Sequence, residues 1–486
     1  MIAPIAVRRF SFDDQQAFAE VSGDFNPMHI DPIAARRTAA GDCVVHGVQS
    51  MLWALEELSD SLELDRLCSL DADFGQFLYV GELVELSLVR HNREEARIEL
   101  LVDGTRISRY VLKFGSHARG EDPPLPVGAQ IEYAAEATSP LPLSWEEVSA
   151  ASGCVHYFSS AGPVRHRYPR LAARIGVERV AGILAFTRLV GMACPGLHSI
   201  FHRINVQLVD ASLERSDRLY FSASRSDPRF SVVALNVHAQ GIRGSLRASR
   251  RSPPTVQDSA AVLGATIARD RFAGSRALVV GGSRGLGEIT AKLLAMGGAE
   301  VMITFAQGAA DAEAVVNDIC SAGGRAGAMR LDVLQPIAGQ FGQLPEAPFS
   351  MYYFATPKIF QRPARKFSPD LFRLFAEVYV DAFYALCDEL AVMRESPLQA
   401  FYPSSVAIEQ WTPNLAEYAM AKAAGEVLAA DMTRSALGVK VETVRLPRLP
   451  TDQTVSMIEQ EVGSPAAAML PIIERVEGRV AQRVHA

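Results

Sequence analysis

The hydrophobic period of this chain changes once, and the change falls at Pro253-Pro254. Before it, segments such as GELVELSLVRH (81–91), ARIELLVDG (96–104) and SRYVLKFGS (108–116) alternate apolar and polar residues. So do SIFHRINVQLVD (199–210), RLYFSASRS (218–226), FSVVALNVHAQG (230–241) and GSLRASR (244–250). That alternation predicts antiparallel strands with one buried face. After it, short apolar runs alternate with helical patterns: ALVVGG (277–282), EVMITFA (300–306), AMRLDV (328–333), SMYYFAT (350–356), QAFYPSS (399–405) and VKVETVRL (439–446) are the strands. Near-continuous apolar strands separated by helices predict a parallel, doubly wound sheet. Pro-Pro sustains neither a helix nor a sheet ladder, so SRRSPPTVQDSA (249–260) reads as a linker.

The first part divides again where proline concentrates, in HARGEDPPLPVG (117–128) and TSPLPLS (138–144). Each half holds an apolar helix followed by strands: Gly47–Leu58 in one and VERVAGILAFTRLVGMACPG (177–196) in the other. A helix apolar nearly all round must be buried, and an antiparallel sheet packed around it does that. Ser11–Val21 reads as a shorter helix with Ser11 as N-cap. Three domains follow: 1–125, 126–255 and 256–486.

Composition narrows the function. A net charge of −7 on 486 residues argues against nucleic acid or an anionic membrane as the main partner. The six cysteines form no CxxC pair, so no metal site is expected. The start, MIAPIAVRRFSFDD, has no long apolar core of a signal peptide, and no run approaches the ~20 apolar residues of a spanning helix. The expectation is a cytoplasmic protein.

In the third part, Val280-Gly281-Gly282-Ser283-Arg284-Gly285-Leu286-Gly287 follows a strand and opens a helix. Glycines there permit a tight turn and bring backbone N–H groups against a pyrophosphate at a helix N-terminus. Lys422 lies one helical turn from Tyr418, where its charge can lower the phenol's pKa for proton donation. Ser405 can hydrogen-bond a carbonyl oxygen.

These motifs, over about residues 270–455, resemble the short-chain dehydrogenase/reductase family. The resemblance implies a Rossmann fold, Ser405, Tyr418 and Lys422 as catalytic residues, and Asp332 near the adenine. Gly281, Ser283, Arg284, Gly285, Leu286, Gly287, Ala355 and Lys422 become cofactor residues. The second strand ends Ile303-Thr304-Phe305-Ala306 without a carboxylate, and Arg284 sits in the glycine turn. Both features favour NADPH over NADH. The chain departs from the family in three places. Its Asn-Asn-Ala-Gly stretch is Tyr353-Phe354-Ala355-Thr356, its catalytic Asn aligns with Tyr379, and its Pro-Gly is Pro447-Arg448. A degenerate reductase that binds without turnover is therefore an open alternative.

In the first part, Asp24 and His29 stand in a loop rich in Gly, Asn and Pro before an apolar helix. A carboxylate and an imidazole at such a turn can converge on one water, and Gly47 at the helix start can offer an N–H to a thioester oxygen. By residue type alone, a capping Asp and a solvated His are the better reading. The run Gly23-Asp24-Phe25-Asn26-Pro27-Met28-His29-Ile30-Asp31-Pro32, with Val45-His46-Gly47 further on, resembles the MaoC-like, R-specific enoyl-CoA hydratases. That resemblance spans roughly residues 8–118 and implies hot-dog folds. It makes Asp24 and His29 the catalytic pair, Gly47 the oxyanion donor and Asn26 a brace. The second half has no Asp-x4-His loop. It reads as a second, non-catalytic hot-dog in which Met192 is buried filler and the histidines are structural or exposed.

The two chemistries share an intermediate. The expected function is NADPH-dependent reduction of a 3-oxoacyl-CoA or acyl-carrier-protein thioester to the (R)-3-hydroxyacyl form, coupled to its dehydration to the 2-enoyl thioester. Alternatives are a scaffold subunit of an acyl-processing complex, or hydratase activity alone. A homodimer is a possible assembly. Arg36, Arg37 and the Arg243–Arg251 stretch are candidate contacts for an acidic carrier.

Overall fold

A computed structural model describes residues 4–117, 130–157, 161–210, 217–342, 344, 346–359, 367–393, 397–410, 412–435, 437–452 and 463–484. Most of the proline-rich stretch expected to divide the first two domains, 118–128, lies outside the described residues. The chain forms two compact units, one running to Pro253 and the other beginning at Pro254.

The first unit contains β1 (Ala6–Arg9), β2 (Leu67–Phe74), β3 (Leu83–His91), β4 (Glu95–Val102), β5 (Thr105–Phe114) and β6 (Ile131–Tyr133). It continues with β7 (Ser152–His156), β8 (Ser199–Leu208), β9 (Arg218–Asp227), β10 (Val232–Ala239) and β11 (Ile242–Arg250). These form one sheet in the order β1-β3-β4-β5-β2-β8-β11-β10-β9-β7-β6. The order β1-β3-β4-β5-β2 recurs as β7-β9-β10-β11-β8, so the unit is a tandem hot-dog built from two like halves. They join where β2 pairs antiparallel with β8, from Ser69↔Gln207 to Asp73↔Arg203. Every pairing is antiparallel except β6 with β7.

Helices Gly47–Glu57 and Val177–Arg188 occupy equivalent places in the two halves. Val48, Met51, Leu52 and Leu55 of the first, and Val180, Ile183 and Phe186 of the second, share one apolar core with the sheet. Full burial of each such side chain stabilises the fold by about 1.5–3 kcal/mol. Glu56 is also buried, because it accepts the N–H groups of Arg170 and Leu171 at 3.1 and 2.8 Å and so caps the helix Pro169–Ile175 of the other half. The expected helix after Ser11 runs Phe12–Ser22, held by a reciprocal capping box between Ser11 and Asp14.

The second unit holds β12 (Arg276–Val280), β13 (Glu300–Phe305), β14 (Arg325–Arg330), β15 (Ser350–Tyr353), β16 (Leu398–Ser405) and β17 (Val439–Leu446). All pairings are parallel, in the order β14-β13-β12-β15-β16-β17. This is the Rossmann order 3-2-1-4-5-6, whose reversal point lies between β12 and β15. Ligands of open parallel sheets bind outside the carboxyl ends of the strands at that point. No helix among the described residues is long and apolar enough to cross a membrane.

Candidate functional sites

In the first unit, Asp24 follows Gly23, which ends the helix Phe12–Ser22 in a left-handed conformation (φ 71°). The expected loop is partly helical: Asn26 caps a single turn, Pro27–Ile30, by accepting the Met28 N–H at 3.1 Å. That turn carries His29 back toward Asp24. Ring nitrogens of His29 and His46 and a carboxylate oxygen of Asp24 all lie within 4.8 Å of one another. His29 Nδ1 is 2.7 Å from the Val44 carbonyl, which can only accept, so Nδ1 carries the proton and Nε2 keeps its lone pair.

Burial dominates the electrostatics. It raises the Asp24 pKa, opposed by the His29 charge and a hydrogen bond from Thr187. It lowers that of His29, opposed by Asp24. The His46 ring stacks on His29 at 3.7 Å between centroids, and burial together with His29 holds it well below the usual histidine range. Gly47 begins the helix Gly47–Glu57, whose first N–H groups have no ladder partner by helix geometry. A Cβ on Gly47 would stand 3.0 Å from the Phe74 ring.

The surroundings of Asp24 come from the second half. Thr187 Oγ1 donates to Asp24 Oδ2 at 2.6 Å. Asn26 Nδ2 donates to the Gly191 carbonyl at 2.8 Å, and the Phe25 N–H points at Met192 Sδ, 3.2 Å away. Arg188 Nη1 donates to the Gly23 carbonyl at 2.9 Å. Asn26 thus braces the loop as its position implied. Met192 touches the Asp24 loop rather than only filling space. His46 stood in the quoted Val-His-Gly run, but Thr187 and Arg188 left no sequence signal, since they lie on a helix of another half. Within the Arg243–Arg251 stretch, Arg251 does not belong to a surface patch. It is buried and donates to the Leu197 carbonyl at 3.2 Å.

In the second unit, the glycine turn leaves β12 at the reversal point. Gly281 takes φ 77°, and a Cβ there would stand 2.9 Å from the Phe354 main chain and 3.0 Å from the Ala355 nitrogen beyond β15. A Cβ on Gly287 would stand 2.2 Å from the Gly281 carbonyl. Only glycine lets the helix Gly285–Met296 start this close to the strand end, and that helix has no side-chain cap. Ser283, Gly285 and Leu286 complete the turn. This cradle fits a dinucleotide pyrophosphate. Arg284 Nη1 is 3.6 Å from Asp452 Oδ2, so a carboxylate shares the cation that favours NADPH. Asp332 follows β14 and accepts the Leu334 N–H at 3.1 Å.

Ser405 ends β16, and Tyr418 and Lys422 share the helix Ala416–Arg434. Burial raises the Tyr418 pKa, opposed by its hydrogen bond with Ser405. Lys422 Nζ donates to the Pro403 carbonyl at 2.8 Å and stands 3.8 Å from the Tyr379 ring centroid. Burial alone brings its pKa down to about 7. Tyr379 lies in a widened turn, Glu377–Asp381, and its hydroxyl is 2.5 Å from Thr356 Oγ1. The position expected for the family's Asn is therefore filled by an aromatic wall against Lys422.

A family model described as a MaoC like domain matches residues 4–108. The chain carries an N-terminal MaoC-like domain. Curated relatives include a mitochondrial 3-hydroxyacyl-(acyl-carrier-protein) dehydratase of Arabidopsis thaliana. It is 49% identical over 41 residues, 8% of this chain and 25% of that protein. An uncharacterized oxidoreductase of Methylorubrum extorquens is 40% identical over 83 residues, 15% of this chain and 34% of that protein. The chain thus spans about a third or less of the curated relatives it matches. The MaoC-like match covers the Asp24–Gly47 segment but ends before β7. The second unit has a Rossmann-type fold, carried by its strand order and the placing of its glycine turn. Similar solved structures include a short chain dehydrogenase from Shigella flexneri complexed with NADP. It is 20% identical, with a TM-score of 0.39, covering 44% of this chain and 96% of that one. A dehydrogenase/reductase from Sinorhizobium meliloti is 24% identical, with a TM-score of 0.37, covering 42% of this chain and 88% of that one.

Proposed function

We propose that the protein processes acyl thioesters of CoA or acyl carrier protein at two sites. The MaoC-like domain interconverts 2-enoyl and (R)-3-hydroxyacyl thioesters, and the second unit reduces the 3-oxoacyl form with NADPH. The observation that carries the reading is the convergence of Asp24 and His29, a carboxylate oxygen and a ring nitrogen within 4.8 Å of each other, with the Val44 carbonyl holding the proton on His29 Nδ1. Hydration adds the hydroxyl of water to C3 and a proton to C2. His29 Nε2 and the Asp24 carboxylate are the groups placed to take and give those protons, and dehydration runs the same steps in reverse. The N–H groups at the Gly47 helix start stabilise the thioester oxygen as it gains charge.

In the second unit, Gly281, Ser283, Arg284, Gly285, Leu286, Gly287, Ala355 and Lys422 hold the cofactor, with Asp332 toward the adenine. Bound NADPH supplies the hydride. Ser405 orients the ketone oxygen and Tyr418 gives it a proton, helped by Lys422 when charged. A second reading is cofactor binding without turnover. It is favoured by the Tyr379 ring against Lys422 and by a Tyr418 pKa raised rather than lowered.

Product analysis by mass spectrometry, with 3-oxoacyl and 2-enoyl thioesters, NADPH and the intact protein, tests the pair. Both interconversions are expected. Hydration without NADPH oxidation supports the second reading, and no hydration of any enoyl thioester overturns the first.

A further inference from the structure

The second half of the first unit lacks an acid–imidazole pair, yet it builds one side of the Asp24 site. The contacts are concentrated in seven residues. Thr187 bonds the Asp24 carboxylate directly at 2.6 Å. Arg188 follows it and is buried, with 1% exposure. Its guanidinium donates to the carbonyls of Gly23, Ala134 and Ala135 at 2.9, 2.8 and 2.7 Å. A Cβ on Gly23 would stand 1.8 Å from Arg188 Nη1, so the left-handed glycine is also the only residue with room for this arginine.

The helix then widens. Leu189–Ala193 forms a π turn, closed by the Cys194 N–H on the Leu189 carbonyl at 2.8 Å. Such turns free carbonyl groups from the ladder. Here the Gly191 carbonyl accepts Asn26 Nδ2 at 2.8 Å, next to the catalytic loop. Gly191 itself admits no side chain, since a Cβ would stand 2.3 Å from Asp24 Oδ1. Thus helix end, widened turn and missing Cβ all conform to the Asp24 carboxylate.

We infer that Thr187 is a positioning residue of the hydratase site, and that the turn Arg188–Gly191 seats the loop that presents Asp24. The inference rests on the proposed role of Asp24. The Thr187 hydroxyl has one donor, and Asp24 Oδ2 is its acceptor. Asp24 Oδ1 accepts the Asn26 N–H at 3.1 Å. The two bonds together fix the carboxylate plane relative to His29. The charged and titratable groups facing Asp24 are His29, His46, Arg188 and Tyr133. His46 is held neutral by burial. The permanent charge among them is Arg188, whose field favours the ionised carboxylate and opposes its burial. The half without its own acid–imidazole pair therefore supplies both a hydrogen bond and a charge that oppose the cost of burying the Asp24 carboxylate.

The test uses the intact chain with Thr187→Val, which keeps shape and loses the hydroxyl, and Thr187→Ser, which keeps the hydroxyl. Thr187→Val is expected to lower kcat for enoyl-CoA hydration by roughly tenfold to a hundredfold, with KM nearly unchanged. The acid limb of its pH profile should move up by about one unit, and Thr187→Ser should restore both. Equal damage in the two variants would assign Thr187 to packing and overturn the inference. A second readout needs no turnover. The Asp24 13Cγ resonance, assigned by its loss in Asp24→Asn, should titrate at higher pH in Thr187→Val than in wild type or Thr187→Ser. An unshifted titration overturns positioning whatever the activity. A shifted titration in a protein that hydrates no enoyl thioester would leave the positioning intact and overturn the hydratase reading alone.

Discussion

Asp24 in the first unit and Lys422 in the second are both enclosed, with exposures of 1% and 5%, yet their walls are opposite in kind. Asp24 is met by dipoles and a charge of the right sign: the Thr187 hydroxyl, the Asn26 N–H and the field of Arg188. Lys422 has one carbonyl, that of Pro403, and otherwise the faces of Tyr379 and Tyr402, 3.8 and 5.0 Å from Nζ. A ring face offers a cation about 0.5–2 kcal/mol, far less than the water it replaces. Burial of the charge is thus opposed at the Asp24 site, where it still prevails and raises the pKa, and left unopposed at the Lys422 site. The first arrangement lowers the cost of ionising Asp24 without removing it. The second favours a neutral amine unless a bound cofactor changes its surroundings.

The sharpest way to break this comparison is to disable each site alone. Asp24→Asn should abolish hydration by about 10²–10⁴-fold and leave ketone reduction unchanged. Tyr418→Phe should do the converse, read by NADPH oxidation. Loss of both activities in either variant would show that the two sites are not independent. If Lys422 must be charged to assist Tyr418, reduction should also decline as pH rises past about 7, the pKa to which burial brings the lysine.

Stability separates the sites next. The folded-state pKa of Lys422 is lowered from 10.5 to about 7. Below about 7 the amine is charged in both folded and unfolded chains, and the folded state bears the whole desolvation cost. Between 7 and 10.5 the unfolded chain binds the extra proton, so stability rises with pH across that window. Lys422→Met should therefore stabilise the second unit near pH 6 by an amount on the order of 3 kcal/mol, shrinking as pH increases. Denaturant unfolding across that range measures it. At the other site the sign reverses: Gly191→Ala forces a methyl group against Asp24 Oδ1 and should cost about 1–3 kcal/mol with most hydratase activity.

The contrast also shows what sequence can carry. The change of period at Pro253 located both sheets, because strand burial imposes the alternation directly. The short strands β1, β6 and β7 escaped, since three to five residues hold too little pattern, and the eight-residue β2 (Leu67–Phe74) went unread as well. Asp24, His29 and the Tyr418–Lys422 pair were legible because each lies within a few residues of its partner. Thr187 meets Asp24 across 163 residues, and on a helix it reads as one more small buried side chain. Arg188 in an apolar helix carried no mark of its destination either. Tyr379 was legible as a departure from the family, but not as a ring stacked on Lys422. Long-range polar contacts of this kind follow from how the two halves join at β2 and β8, which no local pattern encodes.

Glu477 offers the smallest effect and the finest control on the comparison. It lies on the C-terminal helix Pro465–Val484 with 3% exposure. Ser275 Oγ donates to it, as do Ser350 Oγ at 2.6 Å and Tyr352 Oη at 2.8 Å. It therefore has more hydroxyl donors than Asp24 but, among the described residues, no facing cation. Burial nevertheless raises its pKa above the usual 4.5, with all three hydroxyls opposing. Above 4.5 the unfolded chain ionises while the folded carboxyl keeps its proton, so stability falls as pH rises through the window up to the folded-state pKa. Glu477→Gln retains an acceptor oxygen for the hydroxyls and removes the charge. It should differ little from wild type near pH 4 and gain up to about 1 kcal/mol near pH 8. Denaturation midpoints at the two pH values decide it. A variant less stable than wild type at the higher pH would mean that hydroxyl dipoles alone suffice to offset a buried carboxylate. Arg188 would then be unnecessary to the ionisation of Asp24, and the difference between the two sites would reduce to hydrogen bonding.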